Sequence, residues 1–229
     1  MTRDDVLALL EDNENPRGVA HWNKRYPTDP LRSFGIGLTQ LRKLAKSIGR
    51  DHEMARELWA SDCYDARIVG LLIDEPKKVT RLQAERQVDQ LQHGMLPHVF
   101  ASCDATLAKT PFVVELAEDW VDSDDLTRRC CGYGLLYEIS KDKRRSAPDE
   151  AFFLKHIEII EDRQADAPRR LRVSMACALM GIGKRSKTLN LPALVVAREM
   201  GPIPGNPGCD PFDAAKHLTS PYIKKKLGL

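Results

Sequence analysis

The stretches 65–74 (DARIVGLLID), 99–109 (VFASCDATLAK), 128–139 (RRCCGYGLLYEI) and 172–183 (RVSMACALMGIG) share one make-up. Each repeats apolar residues at helical spacing, and each is rich in Ala, Gly or Cys, side chains small enough to let helices approach closely. Helical periodicity continues between them, so helices are expected over 39–48, 52–60, 65–74, 80–91, 97–109, 111–120, 124–140, 148–161, 168–183 and 191–200. A further helix begins near the N-terminus, where Thr2 is a plausible cap ahead of Asp4, Asp5 and the run Leu7, Leu9, Leu10. No run alternates β-branched residues with polar ones, and the fold expected is all-α.

Prolines punctuate the series. Pro76, Pro111 and Pro148 stand 35 and 37 residues apart, each near the start of a helix or in the turn before one. Proline is tolerated there because the first N–H groups of a helix have no internal partner. A recurrence near 36 residues with two helices per unit predicts a HEAT-like or armadillo-type helical repeat solenoid. The expected shape is curved, residues 1–229 forming a single domain, with the four small-residue helices lining a concave basic face that presents Asp65, Arg129 and Arg172. The tail from Gly201 holds too many Pro and Gly for one helix, and a loop followed by a short helix ending in Lys224–Lys226 is expected.

A hydrophobic fraction of 42% with 30% charged residues suits a folded protein rather than a disordered one. The first residues carry acids where a secretory leader would be basic, and no stretch approaches the roughly 18 apolar residues of a membrane span. A cytoplasmic, monomeric protein with no membrane partner is expected. The cysteines Cys63, Cys103, Cys130, Cys131, Cys177 and Cys209 form no CxxC pair, so reduced packing thiols are expected in place of disulfides or metal ligands. The six histidines are scattered, and neither a phosphate loop, a GxSxG elbow nor an HExxH pattern occurs. Nucleotide, serine-hydrolase and zinc chemistry lose their support, and neither metal nor cofactor is expected.

Net charge is +2, but its distribution matters more: from Lys141 onward 17 Lys and Arg face 10 Asp and Glu, whereas the first 140 residues hold 18 against 23. A basic half calls for an acidic partner, nucleic acid before a membrane surface, unless the charges are merely solvated helix faces. Arg128 and Arg129 open one small-residue helix, Arg169, Arg170 and Arg172 open the next, and Lys184, Arg185 and Lys187 close it. Basic groups at successive helix ends, about one repeat apart, would track a phosphate backbone, and a guanidinium can grip a phosphate through two parallel N–H bonds. The last group is also explained by the helix dipole.

For chemistry, the candidate is Asp104 with Phe100. On one continuous helix a spacing of four places them on one side, where a carboxylate flanking an aromatic ring can steady a developing positive charge. The alternative is a surface Asp paired with Lys109 or another base.

The stretch FGIGLTQLRKLAKSIGRDHEMARELWASDCYDARIVGLLIDEPKKVT, followed by AKTPF, SAPDEAFF, MGIGKRSKTLNLPAL and GCDPFDAA, resembles the DNA alkylation repair enzyme family of HEAT-like-repeat alkylpurine DNA glycosylases. The resemblance covers nearly the whole chain. It implies duplex DNA, alkylated or branched, as partner, and excision of N3- or N7-alkylated purines without metal or organic cofactor. It implies an acid on an inner helix, an aromatic one turn before it, an arginine on the following inner helix and a tryptophan on a later one. Spacing from the preceding residues puts the acid on Asp104 and the aromatic on Phe100; counting back from Lys109-Thr110-Pro111 puts the acid nearer Phe100 or Ala101. The arginine falls on Arg129, and Leu179 stands where the tryptophan is expected. Three functions follow: an alkylpurine glycosylase, a non-catalytic binder of damaged or branched DNA, or a protein-interaction solenoid.

Overall fold

The computed structural model describes residues 1–91, 94–205 and 210–229; Cys209 and His93 lie outside the described residues. Among these residues every regular element is helical, and the only β-type pairings are isolated bridges, Arg32 to Cys63 and Ile203 to Phe212. Contacts divide the chain into two compact units, Met1–Pro111 and Phe112–Leu229.

The first unit holds α1 (Arg3–Glu11), α2 (Pro16–Arg25), α3 (Leu38–Ile48), α4 (His52–Trp59), α5 (Tyr64–Ile73), α6 (Arg81–Val88) and α7 (Leu96–Ala101). Thr2 caps α1 as its sequence implies: its hydroxyl accepts from Asp5 N at 3.2 Å and the Asp5 carboxylate accepts from Thr2 N at 2.7 Å. Helix α2 has no counterpart among the helices expected from periodicity. Its start signal is conventional, with Asn15 accepting from the backbone of Arg17 and Gly18 and Pro16 in the first turn, but only Trp22 of its residues is buried, which leaves little apolar pattern to read. The centre of the unit is α5, packed on α3, α4 and α7 and buried on nearly every side. Gly70 makes the contact with α4 possible, because a Cβ there would lie 2.8 Å from the Ala55 carbonyl oxygen.

Asp65, in the first turn of α5, is fully buried. Its carboxylate accepts from Ser33 Oγ at 2.8 Å, Phe34 N at 2.8 Å and Ile36 N at 3.1 Å, so it fixes the loop that leads into α3. Burial pushes its carboxyl up from the ordinary value, against those three donors. The residue expected on an open inner face is thus part of the core.

The second unit holds α8 (Val113–Val121), α9 (Leu126–Lys141), α10 (Glu150–Arg163), α11 (Arg169–Gly183), α12 (Lys187–Met200), α13 (Ala214–Leu218) and α14 (Pro221–Leu227). Helix α9 packs on α8 and α11, and α12 on α11 and α10. A Cβ on Gly132 of α9 would lie 2.8 Å from Val121 N, so any larger residue would push α8 away. Helix α12 begins four residues before the expected 191: Ser186 caps it by accepting from Leu189 N, and the helix carries Pro192 in its interior. The tail forms two short helices where one was expected.

The expected helix 97–109 is broken. Helix α7 ends at Ala101, and a short 3-10 turn, Leu107–Lys109, follows. Ser102 Oγ donates to the His98 carbonyl at 2.6 Å, and Thr106 is drawn to the end of α5, its N–H donating to Leu71 O at 3.1 Å and its hydroxyl to Asp74 O at 2.8 Å. Between these anchors Cys103 and Asp104 adopt left-handed backbone, φ 59° and 63°, which no α-helix can contain.

Helix α10 buries His156 to 1% exposure between Phe153 and Ile157, and neither ring nitrogen has a hydrogen-bond partner among the described residues. Burial drives its pKa down to about 4 from 6.5, so the folded protein keeps the ring neutral where the unfolded chain would protonate it. Its penalty is absent above the unfolded pKa and grows as pH falls from 6.5 toward 4. At its full extent the shift corresponds to about 3 kcal/mol. Urea unfolding at pH 7.5 and 5.0 should show a loss of stability at the lower pH that is largely absent in His156→Leu. An equal loss in both proteins would assign the pH dependence to other groups.

Candidate nucleic-acid interface

Asp125 caps α9 by accepting from Arg128 N at 2.7 Å, which fixes Arg128 and Arg129 in the helix's first turn. Both are half-buried, and the Nε of Arg129 is buried without a hydrogen-bond partner. Arg169, Arg170 and Arg172 occupy the first turn of α11, the helix that packs along α9. Arg170 is exposed. Burial pushes the Cys130 thiol up, while a hydrogen bond with Ser174 and then the charges of Arg170 and Arg129 pull it down. Cations at a helix N-terminus oppose the macrodipole by some tenths of a kcal/mol each, so the stability of α9 and α11 does not account for them.

The other basic groups serve the fold. Arg169 Nε donates to Pro204 O at 2.8 Å and Arg172 to Met200 O at 2.7 Å, both holding the segment after α12. Arg185 donates to Ser140 O at 3.0 Å, to Asp142 O and to Pro148 O at 3.3 Å, and its guanidinium lies 4.7 Å from the Phe153 ring centre. Lys187 Nζ donates to Gly228 O at 3.3 Å, and the Lys184 carbonyl accepts from Lys226 Nζ at 3.1 Å. Burial, and then Lys226, lower the Lys184 ammonium pKa. Sequence spacing cannot separate a cation that meets solvent from one that closes a loop.

Asp104 and Phe100 are not a pair on one helix. Phe100 is 1% exposed, with Leu71, Asp74 and Leu107 around the same small cavity. The Asp104 side chain is 61% exposed and ion-pairs with Arg42 of α3, and its carbonyl accepts from Lys109 Nζ at 2.7 Å. Cys103, expected in the core, is half-buried, with Sγ 3.1 Å from His98 Nε2. Sequence reasoning missed Arg42. Its signal was present in LRKLAKSIGR, where Arg42 and Lys46 stand one helical turn apart. Among the described residues no cluster of three or more His, Cys, Asp or Glu could hold a metal ion, and no helix is long and apolar enough to cross a membrane.

The fold is that of the HEAT-like repeat proteins. A solved structure described as "A new family of proteins related to the HEAT-like repeat DNA glycosylases with affinity for branched DNA structures" superimposes with a TM-score of 0.81 at 22% identity, over 100% of this chain and 97% of that one. The family model for the DNA alkylation repair enzymes matches residues 6–203, and the chain belongs to that family. Two curated relatives are similar along their length: the uncharacterized protein Lmo0209 of Listeria monocytogenes, 25% identical, and Lin0241 of Listeria innocua, 26% identical, each with 95% of this chain and 96% of the relative covered.

Arg185 and Arg170 differ in what they hold: the first closes on three carbonyls, and the second is exposed. Arg185→Ala strands carbonyls on three residues and uncovers Phe153, and should lower stability by about 2 kcal/mol in urea unfolding. Arg170→Ala should change stability by less than about 0.5 kcal/mol. Equal stabilities would show that the Arg185 contacts do not hold the second unit.

Proposed function

We propose that this protein binds DNA through the phosphate backbone, using the arginines at the start of α9 and α11, without excising bases. The observation that carries the proposal is the placement of Arg128, Arg129 and Arg170 in the first turns of two helices that pack together, against the dipoles of both. Planar guanidinium groups suit paired phosphate oxygens, and a phosphate contact positions a duplex without reading its sequence. The affinity for branched DNA named for the structural neighbour fits contacts made to backbone shape.

Binding should be of low sequence specificity and should fall steeply with salt. Replacing Arg128, Arg129 and Arg170 together with Ala should weaken binding to a duplex and to a four-way junction, and flatten the log–log salt slope by about one unit per lost contact. Anisotropy titrations between low and physiological salt make the measurement. Unchanged affinity and slope in the triple variant would exclude this surface.

A glycosylase is the second reading, favoured by one observation: Asp104 keeps an exposed carboxylate at the position that spacing from the preceding residues gives the family's acid. Against it stand the burial of Phe100 and the fully buried Leu179 where a tryptophan is expected. An alkylated purine already carries positive charge, so excision would require only a carboxylate to steady the sugar cation and direct a water. If the activity is present, 7-methylguanine or 3-methyladenine should be released from methylated duplex without added metal. Asp104→Asn should then slow release by about 100-fold or more while binding persists. Methylated DNA that is bound but loses no base would exclude excision.

A further inference from the structure

Beside Asp104 the first unit contains an open cleft of about 430 Å³ whose cations neither reading above uses. Four cations line it, Arg42, Lys46, Arg50 and Lys109, against the single carboxylate of Asp104. The chain builds this cluster from three places. Arg42 and Lys46 share a face of α3, one turn apart. Gly49 then ends that helix at φ 87°, which carries Arg50 back to the same side. Arg50 is anchored there through one nitrogen, Nη1, which donates to Asp74 O and Thr106 Oγ1 at 2.5 Å each, leaving the rest of its guanidinium uncommitted by those bonds. Lys109 enters from the 3-10 turn, held at 2.7 Å by the Asp104 carbonyl.

Helix stability does not account for the cluster. The dipole favours Lys46 in the last turn of α3, but Arg42 lies earlier in the helix, and Arg50 and Lys109 belong to none of its turns. Three positive charges in excess crowd a cavity of nucleotide size. The one acid present reaches Arg42 from a backbone in which two consecutive non-glycine residues, Cys103 and Asp104, are left-handed. An L-residue adopts that region reluctantly, cysteine more so than aspartate.

We infer that this cleft is a phosphate-monoester site, occupied in the ligand-free protein by the Asp104 carboxylate. A phosphate dianion offers Arg42 the same paired oxygens as the carboxylate and carries a second charge for Lys46 and Arg50. It displaces Asp104, whose 61% exposed side chain has open solvent to turn into. A monoester fits better than an internal phosphodiester, because its second charge answers the surplus of cations. The phosphate arrives on the end of a DNA strand or on a free nucleotide; the chemistry is shared. The inference stands on the first unit alone and uses none of the residues proposed for DNA binding on α9 and α11.

Cys103 supplies a native reporter, since it lines the same cleft and is half-buried. Two measurements on the full-length protein test the site. The first compares binding of one internally labelled duplex carrying either 5′-phosphate or 5′-hydroxyl ends. The second follows iodoacetamide labelling of Cys103 by peptide mass spectrometry, with and without millimolar adenosine monophosphate. A strand-end ligand predicts about tenfold tighter binding of the phosphorylated duplex, and that increment should vanish in Arg42→Ala and in Lys46→Ala while hydroxyl-ended duplex binds as before. A free-nucleotide ligand predicts slower labelling of Cys103 with nucleotide, again lost in both variants, and no preference between the duplexes. In either case Asp104→Asn should tighten phosphate binding, because the competing carboxylate is gone. No end preference together with no protection of Cys103 would overturn the inference, as would an effect that survives both cation variants. Equal loss of hydroxyl-ended and phosphorylated duplex binding in Arg42→Ala would instead make Arg42 a general backbone contact and also overturn it. Failure of the α9 and α11 variants to alter hydroxyl-ended binding bears only on the DNA-binding proposal.

Discussion

The closest approaches between helices set what the rest of the molecule can do. At Gly70 and at Gly132 the space a Cβ would need is taken by the backbone of the neighbouring helix. The small-residue segments are therefore less a hydrophobic pattern than a distance requirement: α4 against α5 and α8 against α9 can lie this close only where a side chain is absent. On α11, Gly181 likewise has Tyr137 of α9 where a Cβ would stand, so the two helices that carry Arg129 and Arg170 in their first turns pack together. Two arginine-bearing helix ends are thus brought together from distant pieces of sequence by the packing of the helices that carry them.

Asp65 and Asp104 show how environment decides the use of a carboxylate. Both follow an apolar or small residue in a stretch of one composition, and both look like inner-face acids in the sequence. Asp65 has three donors and no exposure, and its loss would leave Ser33, Phe34 and Ile36 with unmet polar groups in the core. Asp104 has one charged partner and a mostly exposed side chain, so it can move without cost to the core. The first is committed to the core, and the second is held only by its ion pair at the surface. No count of charges along the chain separates them.

The features legible in the sequence were those carried by local rules. The helical period, the Thr2 cap, the prolines before α8 and α10 and the end of α11 at Gly183 all depend on residues within one or two turns. The features that were not legible depend on contacts between distant residues. Helix 97–109 has an unbroken apolar period, yet Thr106 bonds to Leu71 and Asp74 of α5's end, more than 30 residues earlier, and those bonds outcompete the helix. Arg42 as the partner of Asp104 spans 62 residues, and Arg185 closes on carbonyls about 40 residues before it.

This distinction revises what the basic C-terminal half means. Its surplus of Lys and Arg suggested a long phosphate-tracking stripe, but Arg163 is paired with Asp122 and bonded to Val121 O, and Arg169, Arg172 and Arg185 bind carbonyls of the fold. A cation that donates to a carbonyl keeps its charge, so it still contributes to the long-range field that steers an anionic partner. What it gives up is the directed pair of N–H groups that a phosphate contact needs. The half therefore has a field that favours an anionic partner, but few of its guanidinium groups are left for a directed contact. With a nucleic acid as the partner, attraction by many charges and directed contact by few would give an encounter that is strongly salt-dependent and weakly sequence-dependent.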